Sequence, residues 1–354
     1  MSATKRVLRL VLLLAALVIV VTFYLFYRLE HPRAVGKPGA DVTLLFPTGT
    51  PTSQIFRRLA EAGVVSDARL AEIYYRLYRA ATPLQAGEYR FVKPMPIDDV
   101  INRMAHGDVV KYTIVVPEGL IAEETLELFW RQGIGGPQAF EEALRSTELL
   151  PGLTQGVSDL EGFLFPNTYV VTRSTSARQI VDTMVGEFRQ NFTPEMREKA
   201  RALDLTPRQA VILASIVEKE SAVPEEGRVI ASVYVNRLKR GMRLQADPTV
   251  IYALKRDKKW SGTLHRADYN YDSPYNTYLY DGLPPGPICN PGLKALKAAV
   301  TPAKSDYLYF VADDSGGHTF SRTFDEHLHA IATVRRLRAQ AEIKSEEETH
   351  PTTN

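Results

Sequence analysis

The chain has one cysteine, Cys289, among 354 residues, so no internal disulfide can form. Nothing reactive surrounds that thiol in sequence, and it reads as a small packed residue. No charge sign dominates. Lys and Arg number 43 against 41 Asp and Glu, which removes the basic footprint of a nucleic-acid binder. His318, His327 and His329 have no H-E-x-x-H and no cysteine pair beside them, so no metal site and no cofactor is expected. The last absence is local: "LVLLLAALVIVVTFYLFY", Leu10 to Tyr27, carries no charge at all.

That run sets the first functional expectation. At ~1.5 Å per residue it crosses most of a bilayer core of roughly 30 Å, and Tyr24 and Tyr27 suit the interface. It is longer than a signal-peptide core, and no A-x-A site follows it. The expectation is a tail at 1–9, a single-pass transmembrane helix at 10–29 and a Pro/Gly-bearing linker at 30–41. Lys5, Arg6 and Arg9 precede the span, while Arg28, Arg33 and Lys37 follow it. The positive-inside rule therefore does not orient it. A short tail fits an exported body; the alternative is a tethered cytosolic one.

Beyond the linker a pattern occurs twice. "TLLFPTG" (Thr43–Gly49) and "TIVVPEG" (Thr113–Gly119) each read as a strand ending in Pro-x-Gly. A helical run follows each and stops at a glycine before a β-branched residue, Gly63-Val64 and Gly133-Ile134. Gly49 to Gly63 and Gly119 to Gly133 are equally spaced. A second helical stretch follows in each, around Leu70–Tyr78 and Phe140–Leu144. A strand led by glycine closes each copy, "GEYRF" and "GFLFPNTYVV". The expectation is two β-α-α-β units, 42–112 and 113–172, with a small helix at Ile97–His106.

From about Ser176 the texture is helical. Ser176–Phe192 is amphipathic. Thr206–Ser221 opens with a Thr cap, Pro207 at the first helical position and Gln209 placed for a capping box. Gly227–Lys239 follows. Residues 244–292 are rich in Pro, Gly, Tyr and Asn and read mostly as loops. Tyr307–Ala312 and His318–Ser321 read as a hairpin, and Phe324–Arg338 as a last helix. The fold class is α+β: an N-terminal transmembrane helix, β-α-α-β units, then a mainly helical domain over 173–338 with long loops and a β-hairpin. A polar tail, 339–354, reads as disordered.

"ILASIVEKES", Ile212–Ser221, poses the chemical question. Glu218 shares a helix face with Val211, Ala214, Ser215 and Ser221. Glu220 shares one with Leu213 and Ile216. Both faces are apolar, so periodicity does not choose between them. The small residues beside Glu218 leave room for a carboxyl in a half-buried cleft, whereas Glu220 can reach water, Lys219 or Arg228. Burial and the helix C-terminus would both keep Glu218 protonated, as a general acid requires. A carboxylate paired with a nearby base is the plainer alternative. The Tyr-, Asn-, Gln- and Pro-rich loops downstream suit a rigid carbohydrate groove, since rings stack on sugars and amides bind hydroxyl and N-acetyl groups.

These motifs together resemble the endolytic murein transglycosylase family, the MltG or YceG-like proteins. The resemblance rests on "LEGFLFPNTY" (Leu160–Tyr169), "LASIVEKES" (Leu213–Ser221), "LQADPTVIY" (Leu244–Tyr252), "SPYNTY" (Ser273–Tyr278), "GLPPGPI" (Gly282–Ile288) and "HTFSRTFDEH" (His318–His327). It implies LysM-like, glycan-binding β-α-α-β units and an inner-membrane protein with its body in the periplasm. It implies cleavage of the MurNAc-β-1,4-GlcNAc bond within nascent peptidoglycan strands, leaving 1,6-anhydroMurNAc ends and terminating elongation. The partners implied are glycan strands and peptidoglycan synthases. Glu218, the first glutamate of its motif, carries over as the catalytic residue. Gln245, Asp247, Asn276 and Tyr278 are the candidates for positioning the sugar or orienting Glu218, and each reads equally well as holding its loop together. A hydrolase using the same glutamate, and a non-catalytic glycan-binding scaffold of the cell-wall synthesis machinery, are the alternatives.

Overall fold

The computed structural model describes residues 3–31, 39–153, 158–221, 223–313 and 316–349. The chain clusters into two compact units. One holds Met1–Thr113 with Val170–Ser176, the other Ile114–Tyr169 with Ala177–Asn354.

The first unit begins with α1 (Ala3–Glu30). Its segment Lys5–Glu30 has a mean hydropathy of 2.8 and is long enough to cross a membrane. At ~1.5 Å per residue it extends roughly 39 Å. Most of the expected linker, residues 32–38, lies outside the described residues. Then come β1 (Ala40–Phe46), α2 (Thr52–Glu61), α3 (Ala68–Tyr74), a π-helical turn (Tyr75–Arg79), β2 (Gly87–Lys93) and α4 (Ile97–His106). β1 and β2 pair antiparallel, with Leu44 opposite Tyr89 and Phe46 opposite Gly87. Ile55, Phe56 and Leu59 of α2 meet Phe46, Tyr89 and Phe91 of the sheet and Ile101 and Met104 of α4 in one core. The buried Tyr89 hydroxyl is satisfied by donating to the Gln85 carbonyl at 2.8 Å, with the Met104 carbonyl 3.2 Å away.

The second β-α-α-β order is also present: β3 (Tyr112–Val115), α5 (Ala122–Trp130), α6 (Pro137–Leu144) and β4 (Thr168–Val171), with β3 paired to β4. The equal glycine spacing has a backbone cause. Gly49 and Gly119 end the Pro-x-Gly turns at φ +82° and +79°, and Gly63 and Gly133 follow α2 and α5 at +75° and +73°. The Gly63 N–H donates to Ala60 O and Val64 N–H to Leu59 O; Gly133 and Ile134 donate likewise to Trp130 O and Phe129 O. Both helices thus end in the same two-bond, left-handed cap, where a Cβ would be strained. The expected division at 172/173 differs from the observed clustering, because α5 and α6 pack with the helical body of the second unit.

That body consists of α7 (Ala177–Asn191), α8 (Pro194–Arg201), α9 (Pro207–Glu220), α10 (Gly227–Lys239), α11 (Asp247–Arg256), α12 (Leu293–Val300), the antiparallel hairpin β5 (Tyr309–Ala312) with β6 (His318–Ser321), and α13 (Phe324–Thr349). α9 lies at its centre, packed by α8, α10, α11 and α12. The expected capping box forms: Thr206 Oγ1 accepts from Gln209 N–H at 3.2 Å, and Gln209 Oε1 accepts from Thr206 N–H at 2.9 Å.

Three elements differ from the sequence expectations. α8 was not anticipated, although Thr193 caps it and Pro194 opens it. α11 occupies part of the expected loop region. Its β-branched run Thr249-Val250-Ile251 obscures a helix that Asp247-Pro248 begins and Lys255-Arg256 ends. The expected disordered tail is helical to Thr349, since the Ala-, Gln-, Glu- and Lys-rich stretch extends an already nucleated helix at little cost. Residues 350–354 lie outside the described residues.

Candidate active site at the end of helix α9

Every residue of α9 from Ala210 to Val217 is buried, so the helix has no solvent face to orient Glu218 or Glu220. Ser215, one of the small residues expected to leave room beside the carboxyl, instead meets the Pro-Gly loop before α12. Ser215 Oγ accepts from Ile288 N–H at 3.0 Å and donates to Ile212 O at 2.7 Å, while Cys289 Sγ donates to Ser215 O at 3.3 Å. Cys289 is buried, a packed thiol.

Asn290 ties this loop to two other quoted motifs. Its Oδ1 accepts from Leu164 N–H, and its Nδ2 donates to Leu120 O and Thr125 Oγ1. The backbone joins in, Gly119 N–H donating to Asn290 O and Asn290 N–H to Leu120 O. The Pro-Glu-Gly turn, the "LEGFLFP" segment and the "ICNPG" loop therefore converge on the end of α9. Gly162 is required there, because a Cβ would lie 2.2 Å from Pro287 Cβ.

Glu218 sits at this convergence, half-buried. Its Oε2 accepts from Gly292 N–H at 3.0 Å. Gly292 is the residue that starts α12, so the carboxyl faces a helix N-terminus. Burial pushes its pKa up, and the nearby charge of Glu118 adds to the rise; the Gly292 N–H and Lys219 oppose it. Gly119 and Lys219 line a cleft of about 230 Å³ with Pro248, Ile251, Tyr252 and Trp260. A Cβ on Gly119 would meet Glu218 Cγ at 3.5 Å, which places the carboxyl side chain beside the wall of this cleft. The site thus joins a perturbed carboxyl, an aromatic wall of Trp260 and Tyr252, and the Lys219 ammonium, which donates to Gly119 O at 3.2 Å.

Glu220 points elsewhere, and among the described residues it forms no ion pair with Lys219 or Arg228. Its Oε1 accepts from the buried Tyr234 hydroxyl at 2.8 Å. Burial pushes its pKa up to about 7, against the Tyr234 hydrogen bond; the charge of Asp247 adds to the rise. The four other sequence candidates gather on this side. Tyr278 donates to Asp247 Oδ1 at 2.5 Å, and Tyr269 to Asp247 Oδ2 at 3.3 Å. Gln245, at φ +49°, donates its N–H to Thr277 O and receives a long contact from Arg237 at 3.5 Å. Asn276 is 0 % exposed. Its amide donates to the carbonyls of Tyr269 and Tyr271 and accepts from Tyr278 N–H. Its hydrogen-bonding groups are thus used within the loop. Tyr278 thus links Asp247 and Asn276, Gln245 is tied through its backbone to the neighbouring Thr277, and Pro248, next to Asp247, lines the Glu218 cleft.

Sequence reasoning missed Glu118, Gly292, Trp260 and Glu161. Glu118 lay in the quoted "VPEG" and Glu161 in "LEGF", so each was visible as an acid inside a motif. Glu161 accepts from Ala122 N–H at 3.0 Å, with the Tyr252 hydroxyl 3.4 Å away. Burial pushes its pKa up to about 8. Of the histidines, His318 Nδ1 lies 2.6 Å from Glu226 Oε2, and His327 stacks on Tyr309.

The YceG-like family model matches residues 44–333. The endolytic murein transglycosylase of Bacillus subtilis (strain 168) is 33% identical over 304 residues, covering 81% of this chain and 82% of that protein. The endolytic murein transglycosylase of Streptococcus pneumoniae serotype 2 (strain D39) is 32% identical over 315 residues, covering 79% of this chain but 55% of that longer protein, so the chain spans about half its length. The crystal structure of a yceG-like protein from Listeria monocytogenes superposes with a TM-score of 0.56 at 32% identity, covering 82% of this chain and 98% of the other. With a match across most of its length, this chain belongs to the YceG-like family.

Proposed function

We propose that the protein is a membrane-anchored endolytic lytic transglycosylase that cuts the MurNAc-β-1,4-GlcNAc bond inside nascent peptidoglycan strands and so ends their elongation. The observation that carries this reading is Glu218: a half-buried carboxyl, raised by burial, beside a cleft walled by Trp260 and Tyr252. The names of the relatives from B. subtilis and S. pneumoniae support the reaction class. In this reading α1 anchors the chain in the inner membrane with the body in the periplasm. The β-α-α-β unit at 42–112 is LysM-like and holds the glycan.

Chemistry follows from one carboxyl used twice. Protonated Glu218 donates to the glycosidic oxygen as the C1–O bond breaks, and the GlcNAc 4-hydroxyl leaves. The substrate's N-acetyl carbonyl stabilises the positive C1, as in substrate-assisted glycosidases. Glu218, now a carboxylate, takes the proton of the muramic C6 hydroxyl. O6 attacks C1 and closes the 1,6-anhydro ring. No water enters, and Glu218 ends protonated, ready for the next cycle. Tyr278 and Tyr269 hold Asp247 at the start of α11, whose Pro248 enters the cleft wall; Gln245 leads into that helix, and Asn276 holds the loop that carries both tyrosines.

The test is incubation of the full-length protein, in detergent, with uncrosslinked peptidoglycan strands, and mass spectrometry of the products. Internal fragments ending in 1,6-anhydroMurNAc are expected. Glu218→Gln is expected to lower their rate by at least ~10²-fold while the thermal transition stays in place. Products one water heavier would make the protein a hydrolase. Bound but uncut strands would make it a scaffold.

A further inference from the structure

A second, larger cleft of about 450 Å³ lies in the same unit, and the mechanism above does not use it. It takes part of its lining from the "LEGF" and "SPYN" segments, Glu161 and Tyr275 among them, from the aspartates just before each, Asp159 and Asp272, and from Arg208 and Arg256. Tyr275 of this cleft packs against Tyr252, ring centroids 4.8 Å apart, and Tyr252 lines the cleft beside Glu218. The two clefts therefore share one wall, an aromatic pair.

The charges of the larger cleft are of both signs. Among the described residues no ion pair joins Arg256 to Asp159 or Asp272. The Arg256 guanidinium instead lies 5.1 Å over the Tyr275 ring. Asp159 accepts from Ser158 and from the Glu161 N–H, and Asp272 from the Tyr280 hydroxyl. Arg256 also hydrogen-bonds the Tyr275 side chain and feels the charge of Asp159, but a guanidinium has five N–H donors and keeps others for a carboxylate, and the aspartates keep acceptor capacity for an ammonium. A purely anionic or purely cationic ligand would leave one set facing a like charge.

We infer that this cleft binds an amphoteric short peptide, one carrying free carboxylates and an ammonium group, and that the peptide is the stem borne by the glycan strand in the neighbouring cleft. The inference rests on the proposed function for the identity of that strand. Reach permits it. An extended chain covers ~3.3–3.6 Å per residue, so three residues span roughly 10 Å, enough to pass one aromatic layer. Arg256 would take a stem carboxylate, and Asp159 and Asp272 the ammonium. Glu161, held protonated at the shared wall, would ground the Tyr252 hydroxyl between the two clefts.

The experiment compares two substrates with the full-length protein in detergent: peptide-bearing strands, and the same strands stripped of peptide by an amidase. Binding of the free peptide alanyl-γ-glutamyl-lysine is measured alongside by calorimetry. The expected KM for stripped strands is about tenfold above that for peptide-bearing strands, the loss of one charge-assisted contact. In Arg256→Gln and in Asp159→Asn that ratio should fall towards one, and free-peptide binding should weaken. A wild-type ratio of one, or a ratio unmoved in both variants, would overturn the inference while leaving the transglycosylase reading intact. If neither strand is cut but the free peptide binds and Arg256→Gln weakens it, the transglycosylase reading fails and the peptide site stands.

Discussion

Glu118 and Glu218 meet across one glycine. The Gly292 N–H donates to Glu218 Oε2 at 3.0 Å, and a Cβ on Gly292 would lie 1.9 Å from Glu118 Oε1. Two carboxyl groups thus press on the same peptide unit from different elements, one at the end of α9 and one in the turn after β3. The exposed Glu118 carboxylate lies close to a group that burial already holds towards its neutral form, and adds to that rise. In the proposed reaction Glu218 must begin each cycle protonated, and such an acid gains from that neighbour.

Glu118→Gln removes this charge and should therefore lower the Glu218 pKa. The groups left facing Glu218 are Lys219, which lowers it, the Gly292 N–H, which lowers it, and the thiol of Cys289, neutral because burial pushes its own pKa well up. A lower pKa deprotonates the acid earlier. The alkaline limb of the kcat/KM profile should move to lower pH, with the folded structure unchanged. A spacer role for Glu118 would change the height of the profile and leave the limb in place.

Gly292→Ala tests the spacer itself. The new methyl cannot coexist with the Glu118 carboxylate at 1.9 Å, so the "VPEG" turn or the start of α12 must shift. A misplacement of ~1 Å at a reacting group can cost about 10²-fold in rate. The double variant Gly292→Ala with Glu118→Gly should recover part of that loss, because the colliding atoms are gone. Equal rates for single and double variants would show that the collision is not the cause.

Much of this arrangement could be read before the fold was known, and the failures have physical reasons. The capping box at Thr206 and the glycine caps at Gly63 and Gly133 were legible because they depend on local backbone chemistry. α11 was not, since three β-branched residues in a row mask a helix that burial of Val250, Tyr252 and Leu254 stabilises. The choice between Glu218 and Glu220 was not decidable from periodicity, because α9 is enclosed on all sides. What separates the two is long-range: Gly292 and Glu118 face one, Tyr234 and Asp247 the other. No spacing along the chain encodes that.

Glu161 gives a stability prediction with a definite sign. Burial raises its pKa from an ordinary 4.5 to about 8. Between those values the unfolded chain has lost the proton that the folded chain still holds, so stability falls as pH rises through this window. Below the unfolded value the contribution is fully present. Glu220, raised to about 7, adds a similar slope over a narrower range. Glu161→Gln keeps an oxygen to accept from Ala122 N–H and removes the titration. The decline of the thermal midpoint between pH 5 and 8, scanned at fixed ionic strength, should become shallower in this variant. A slope identical to that of the unaltered protein would mean Glu161 ionises freely and is not the buried group described.

Asn276 separates a loop-holding residue from a sugar-binding one. Its amide donates to Tyr269 O at 3.0 Å and Tyr271 O at 2.8 Å and accepts from Tyr278 N–H at 3.0 Å. Asn276→Ala would leave these three backbone groups without that partner in a fully buried position, at ~1–3 kcal/mol for each one left unsatisfied. The expected result is a loss of at least ~2 kcal/mol in denaturant unfolding, with no change in the slope against denaturant. Tyr278→Phe removes only the hydroxyl that reaches Asp247 and should cost less, about 1 kcal/mol. Cleavage by Asn276→Ala should be weakened through the fraction of folded protein, and cooling should restore it towards the normal KM. A variant that stays as stable as the parent but binds strands more weakly would return Asn276 to the substrate.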